Sequence, residues 1–479
     1  MKFFRQYEES LKIQDLVGVF IVTKINNMGN RTITQKPPER QTRQKQKLTP
    51  STSFQDLNDF STTTVEQSQH IITPAPFQSL DELPILLSGS QCVLHKNEIL
   101  ICGGENERSC YSYHTIKNEY KFICSYPSDV ILEGHCVVKL AENNNKDNND
   151  ISEITLLSFG GKYKHTLVMK YVNFWNSENY LKVKRYFNML EYNGTIGVEE
   201  LNEPDKYNIW IPLTDNHNHS ISIGRDEDQY LGVRAVIGGS NNHLLFITYY
   251  KNNISVFDLN TFQFIKHDTL PTNNYIRYHC FVSNSENGQE MMKINQEKKK
   301  KKSYEMLLFC KKTGLSIKYD EDNNAFRFHR LPVFDDISPF NKYAYVRVND
   351  VILFFGGCCW RGDMRIVSKA LHRYFIQRNT WITFEYTLST PLYNCFGILD
   401  EDNTNIHIIG GSNNDKGMIF NHMKTNVSEW IYPQLVNFLQ SFKFLVFLKH
   451  NRNLLHKTNT KINSQKITSN LFANIGFEF

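Results

Sequence analysis

The stretch DVILFFGG, residues 350–357, decides the fold. An apolar run bounded by turn residues reads as a buried strand. It stops on two glycines, which hold a strand poorly and turn sharply with φ > 0 at no steric cost. The same ending recurs as EILICGG at 98–104, TLLSFGG at 155–161 and IHIIGG at 406–411. A strand closed by a diglycine at four places is an internal repeat.

Working outward from the diglycine, each unit has a first strand carrying a small residue: Cys92, Cys136, Ala235, Cys280, Ala344 or Cys395. The second strand ends at the diglycine slot. The third ends on an aromatic, and a second aromatic follows seven residues later: Tyr113 and Tyr120, Phe257 and Phe264, Tyr319 and Phe326, Tyr374 and Trp381. Polar turns lie between them (HTIKNE, DLNTFQ, DEDNNA, FIQRNT), so each pair marks a hairpin. Met423 and Trp430 form a looser fifth pair. Two slots are degenerate, Tyr249-Tyr250 and Lys311-Lys312, while Gly238-Gly239 precedes a second strand as a hairpin turn. The slots fall at 103, 160, 249, 311, 356 and 410, which makes six units.

Repeats of roughly 40–50 residues with four strands each indicate a β-propeller. On ILFFGG to NTWITF (352–384) and ILICGG to EYKFI (99–123) the sequence resembles the kelch-repeat family, the galactose-oxidase-like propellers. On QCVLHKNEILICGG (91–104) and VRAVIGGSNNHLLFITYY (233–250) it is most similar, within that family, to a large kelch-motif set in foraminiferan protists. The expected fold is therefore all-β: a six-bladed kelch-type propeller over 77–433. A disordered leader, 1–76, precedes it, with a short helix in its first 25 residues. A C-terminal extension, 434–479, follows, with an amphipathic helix over QLVNFLQSFKFLVFLKH (434–450). Insertions fall at 141–150, 176–206 and 284–305. The ring closes through either the segment from Phe77 to Pro84 or the one around Trp430. The blades with Tyr-Tyr and Lys-Lys slots are expected to be locally irregular.

The chain has 479 residues, 40% hydrophobic and 13% aromatic, enough to bury a large core. Its formal charge of +5 implies no global nucleic-acid field. The ten cysteines include no CxxC pair, and no secretory signal or membrane-spanning run of ~18 residues is visible. These features point to a cytoplasmic protein with free thiols. No hydrolase, zincin, Walker or EF-hand pattern is present. Asp215, His217 and His219, the vicinal Cys358-Cys359, the RGD at 361–363 and the lysine run 298–302 each read as a loop feature.

The remaining candidate is the binding face of the propeller. Just before each small residue stands a larger one: Gln91, His135, Arg234, His279, Tyr343 and Asn394. Strand alternation points these away from the small residues, and six at one level would form a polar ring at a channel mouth. Glu105, Lys162, Lys251 and Ser412, just past the slots, are expected at the same end. The expected function is a non-enzymatic, monomeric scaffold or adaptor that binds a protein through this ring. It needs no cofactor, metal, nucleic acid or membrane. The kelch resemblance also implies an alternative, a glycan-binding or galactose-oxidase-like metalloenzyme on the same fold.

Overall fold

The structure is a computed structural model that describes residues 76–140, 153–173, 175, 207–284, 303–414 and 417–431, all in one compact unit spanning 72–479. The leader up to residue 75, the C-terminal helix, the lysine run and the insertions at 141–150 and 176–206 lie outside the described residues. So does the insertion at 284–305, except at its two ends.

Six four-stranded antiparallel sheets follow one another along the chain. Blade 1 comprises Gln91–His95, Glu98–Gly104, Glu107–His114 and Glu119–Ser125. Blade 2 comprises His135–Lys139, Glu153–Gly160, Thr166–Val172 and Ile211–Pro212. Blade 3 runs from Arg234 to Thr269, blade 4 from Cys280 to Arg330 and blade 5 from Ala344 to Thr387. Blade 6 takes Phe396–Leu399, Asn405–Ile409 and His422–Asn426, and its outermost strand is Gln78–Ser79 from the start of the propeller. This is the six-bladed propeller that the repeat predicts.

Burial follows the layer order. The second strands Glu98–Gly104, Leu244–Tyr249 and Val351–Phe355 are buried at every residue. Each is covered by a neighbouring blade on both faces, which is why the sequence shows unbroken apolar runs there rather than alternation. The fourth strand Gln263–Thr269 alternates strictly between exposed and half-buried. It covers one face only, and its period of two shows that.

The four aromatic pairs are direct cross-strand partners between third and fourth strands. Their ring centroids lie 4.9, 5.0, 5.0 and 4.9 Å apart, within the range for stabilising ring contacts. In three blades the tyrosine hydroxyl donates to an asparagine five residues on: Tyr113 to Asn118, Tyr319 to Asn324 and Tyr374 to Asn379. Those asparagines hold positive φ, the conformation the hairpin turn requires.

The diglycines behave as their chemistry requires. Gly103, Gly160, Gly356 and Gly410 have φ of 55, 79, 67 and 64°. The chain entering the next blade presses on them. A Cβ on Gly356 would overlap the Leu392 carbonyl, and one on Gly410 would stand 2.7 Å from the Leu87 carbonyl. In these two doublets the second glycine donates its N–H to that same carbonyl, Gly357 to Leu392 and Gly411 to Leu87, both at 2.7 Å. Gly356→Ala should therefore cost about 2–4 kcal/mol, combining left-handed strain with overlap against backbone. Gly362, with φ of 60° and nothing within 4 Å of a built Cβ, is the control. Its alanine variant should lose only the strain, ~1–2 kcal/mol. Urea melts that gave the two variants equal losses would contradict this account of the doublet.

The degenerate slots reverse the expectation. Lys311-Lys312 forms a two-residue hairpin between the paired Cys310 and Thr313, with Lys311 itself at φ 50°. Tyr249 pairs with Asn253 across a short turn holding Lys251 at φ 66°. At these two slots the second and third strands pair without a break, because each turn is made with one left-handed residue, Lys251 or Lys311. The diglycine of blade 5 instead lets the strands part and releases an extra hairpin, Cys358–Arg361 with Met364–Val367.

At the ring closure both alternatives contribute. Gln78–Ser79 supplies the strand, pairing with Lys424 and Met423. Trp430 lies on a single helical turn, Ser428–Ile431, so Met423 and Trp430 are not a hairpin pair. The indole packs inside the seam against Phe77, Phe355 and Phe384.

Candidate functional site at the channel mouth

One or two residues before each inner strand stands a residue in the left-handed conformation: Gly89, Gly134, Gly232, Tyr278, Lys342 and Asn394, with φ between 50 and 74°. Backbone hydrogen bonds join them around the axis. Gly89 donates to Asn394, Asn394 to Lys342, Lys342 to Tyr278, Tyr278 to Gly232 and Gly232 to Gly134, at 2.8–3.0 Å. Five of the six steps are bridged, so the six blades meet in a nearly closed collar of main chain.

The collar sets a common level, and the six residues expected to share one do not. Counted from it, Asn394 is on the collar, His135, His279 and Tyr343 are one residue beyond, and Gln91 and Arg234 are two beyond. A one-residue slip in a strand sends the side chain to the opposite face. His135 Nε2 lies 3.2 Å from the Cys102 carbonyl of blade 1. His279 Nε2 lies 2.6 Å from Thr248 Oγ1 of blade 3, and the Tyr343 hydroxyl donates to the Phe309 carbonyl of blade 4 at 2.7 Å. These three join each blade to the one before it. Both histidines are fully buried, and burial pushes the His135 imidazole down to about 3 and that of His279 well below its ordinary value. The set of small residues slips in the same way: Cys136, Cys280 and Ala344 are level with Gln91, but Cys92 and Ala235 are one residue further on.

Gln91, Arg234, Tyr343 and Asn394 do line a small, shallow depression at the mouth, together with Tyr278 and Lys342 of the collar. Across this face runs a chain of alternating rings and cations. The Arg365 guanidinium carbon lies 4.9 Å from the Trp360 ring centroid and 4.8 Å from that of Tyr393. Lys342 Nζ lies 5.9 Å from the Tyr393 ring and 4.3 Å from the Tyr278 ring. The Arg234 guanidinium carbon is 6.0 Å from the Tyr278 ring, and Arg277 is 6.0 Å from Tyr250 on the adjoining rim. Such contacts hold a cation in place without neutralising it. Burial lowers the Lys342 ammonium below its usual range, while Cys358 and Glu105 pull the other way. Among the described residues neither Lys342 nor the three arginines has a carboxylate partner.

Two carboxylates border the mouth. Glu105 accepts a long hydrogen bond from Asn394 Nδ2 at 3.4 Å, and Glu133 is paired with Lys162 at 3.0 Å. Glu105, Lys162 and Ser412 sit at the collar end, joined to it through Asn394, Glu133 and Tyr393 respectively.

The other candidates have local structural roles. Asp215 accepts the backbone N–H groups of His217 and His219, at 2.8 and 2.9 Å, and pairs with the His219 ring in an exposed turn. Cys358 and Cys359 are buried in the extra hairpin of blade 5, and Arg361, Gly362 and Asp363 make its tip. All ten cysteines are buried and unpaired.

Sequence reasoning missed the collar and the ring–cation chain. Three collar glycines and Asn394 were visible as turn residues ahead of each first strand. Tyr278 and Lys342 carry no such mark, because neither residue type favours positive φ.

No family model matches this chain, and no curated protein matches it. Among solved structures, one titled "Structure of YjhT" is 13% identical, covers 72% of this chain and 95% of that chain, and has a TM-score of 0.45. A likeness at that level decides nothing about what this chain does.

Proposed function

We propose that the chain is a non-enzymatic, monomeric binding propeller of the kelch-repeat type that holds a protein partner across the collar end of its channel. The observation that carries this reading is the mouth itself: a main-chain collar drawn from six blades, carrying ring-held cations and flanked by a projecting hairpin. Trp360 and Met364 on that hairpin are 62% and 71% exposed. Exposed aromatic and arginine side chains over a rigid base are the residues that dominate protein interfaces. Loops on a stiff scaffold commonly carry recognition. The paired aromatics and left-handed diglycines support the kelch-type reading, and the ten buried thiols support work in a reducing, cytoplasmic setting.

The test is affinity capture with the full chain, run beside Arg234→Ala/Lys342→Ala at matched thermal stability. Discrete partners should be recovered and lost with the double variant. Partners recovered equally by both proteins would remove the mouth from the account.

A further inference from the structure

We infer that the mouth selects an acidic stretch of polypeptide, one that places Asp or Glu carboxylates against Lys342, Arg234 and Arg365. This rests on the binding reading above and adds the chemistry of the partner.

The charge inventory of the face points this way. Four cations, Arg234, Arg277, Lys342 and Arg365, converge on the depression and its rim, each beside an aromatic ring. Arg365 spends one hydrogen bond on the Tyr393 hydroxyl, and Arg234 one on the neighbouring Val233 carbonyl. Against these stand Glu105, which accepts only a long bond from Asn394, and Glu133, which is already matched by Lys162. Among the described residues the face therefore has an excess of positive charge held at fixed positions in partly dehydrated surroundings, where an arriving anion is attracted more strongly than in water.

Glu105 and Asn394 distinguish among anions. A polypeptide brings backbone N–H donors that Glu105 can accept, alongside carboxylates for the cations. The phosphodiester linkages of a nucleic-acid strand bring no donor and would meet the Glu105 charge directly. Nucleic acid also needs open ring faces for its bases. Here Lys342 already lies over Tyr278, and Arg365 lies between Tyr393 and Trp360. Tyr278 and Tyr393, both buried, serve as cation holders rather than stacking platforms, and of the three rings Trp360 alone is exposed. Trp360 and Met364, exposed beside Arg365, add an apolar contact for a residue flanking the acidic stretch.

The experiment exposes the full-length chain to a pool of random dodecapeptides and sequences what binds. The wild type should return peptides enriched in Asp and Glu. Lys342→Gln and Arg365→Gln, each checked for unchanged thermal stability, should weaken a selected peptide at least tenfold. Lys342→Arg should keep most of the binding, and raising the salt should weaken it. If peptides bind at the mouth with no acidic enrichment, the acidic-partner inference fails while the binding reading stands. If a single-stranded oligouridine displaces the selected peptides and binds as tightly, the partner class is wrong. If no peptide binds and partner capture is also insensitive to Arg234→Ala/Lys342→Ala, both readings fail.

Discussion

The chain should unfold on mild acidification, losing stability from about pH 6.5 downward and taking up more than one proton as it does so. Six histidines carry the effect: His135, His279, His372, His407 and His422, which are buried, and His165, which is half-buried. Burial pushes the imidazoles of His165, His372 and His407 down to about 4 and that of His135 to about 3. Those of His279 and His422 are also held well below the ordinary value. In the unfolded chain each returns to ~6.5. Between the two values the unfolded chain binds a proton that the folded chain refuses. Stability is therefore fully present above ~6.5 and falls as the pH drops towards the folded values. Each group contributes a slope of ~1.4 kcal/mol per pH unit. Glu98 opposes this, because burial raises its carboxyl and its protonation in the folded state favours folding as the pH falls. It is one group against six. The lowered carboxylates of Asp228 and Asp400 add their loss only at more acid pH.

The position of these imidazoles explains why the loss should be global. His135 and His279 bond across blade boundaries. His407 and His422 bond to each other at 2.9 Å, and His422 also meets the Tyr120 hydroxyl of blade 1. They lie where blade 6 closes on blade 1, so a buried charge there opens the ring at its seam. Urea melts from pH 7.5 to 4.5 test this. A slope below the single-proton value between pH 6.5 and 4.5 would contradict it.

Trp430→Ala should cost about 3–5 kcal/mol, the range for removing a large buried aromatic. The indole is fully buried. Its ring centroid lies 5.4 Å from Phe77, 6.1 Å from Phe355 and 5.1 Å from Phe384. Its Nε1 donates to Thr425 Oγ1 at 3.0 Å, and that hydroxyl donates in turn to the Pro76 carbonyl at 2.6 Å. Arg373 also donates to the carbonyls of Trp430 and Ile431, tying the helical turn to blade 5. One side chain thus holds the closing strand, the helical turn and blade 5 together. Trp430→Phe should recover part of the loss, since the ring contacts persist while the hydrogen bond goes. Equal stability of Trp430→Ala and the wild type in thermal melts would mean that the seam is closed by the strand pairing alone.

The blades were legible because their cause is local. Val351–Phe355 is apolar throughout since it is covered on both faces, and Tyr374 with Trp381 marks a hairpin that seven residues can close. The Tyr-to-Asn hydrogen bonds of three blades rest on an equally local feature, an asparagine five residues after the tyrosine. The mouth was less legible. Arg234 stands just before a small neighbour and lines the depression, but His135 and His279 stand in the same sequence context and point between blades. The deciding quantity was the register of each first strand, which depends on collar residues whose left-handed conformation is imposed by neighbouring blades. Lys342 shows this best: an ordinary lysine in sequence, it is held at φ 57° by bonds to Tyr278 and Asn394.

The most direct test of the central claim is amide hydrogen exchange on the full chain with and without its captured partner. Protection should gather at the mouth, over residues 89–91, 277–279, 342–344, 360–365 and 393–396, leaving the outer strands such as Gln263–Thr269 unchanged. Protection confined to the outer strands or to the opposite end of the blades would show that the partner binds elsewhere and that the collar face is not the site.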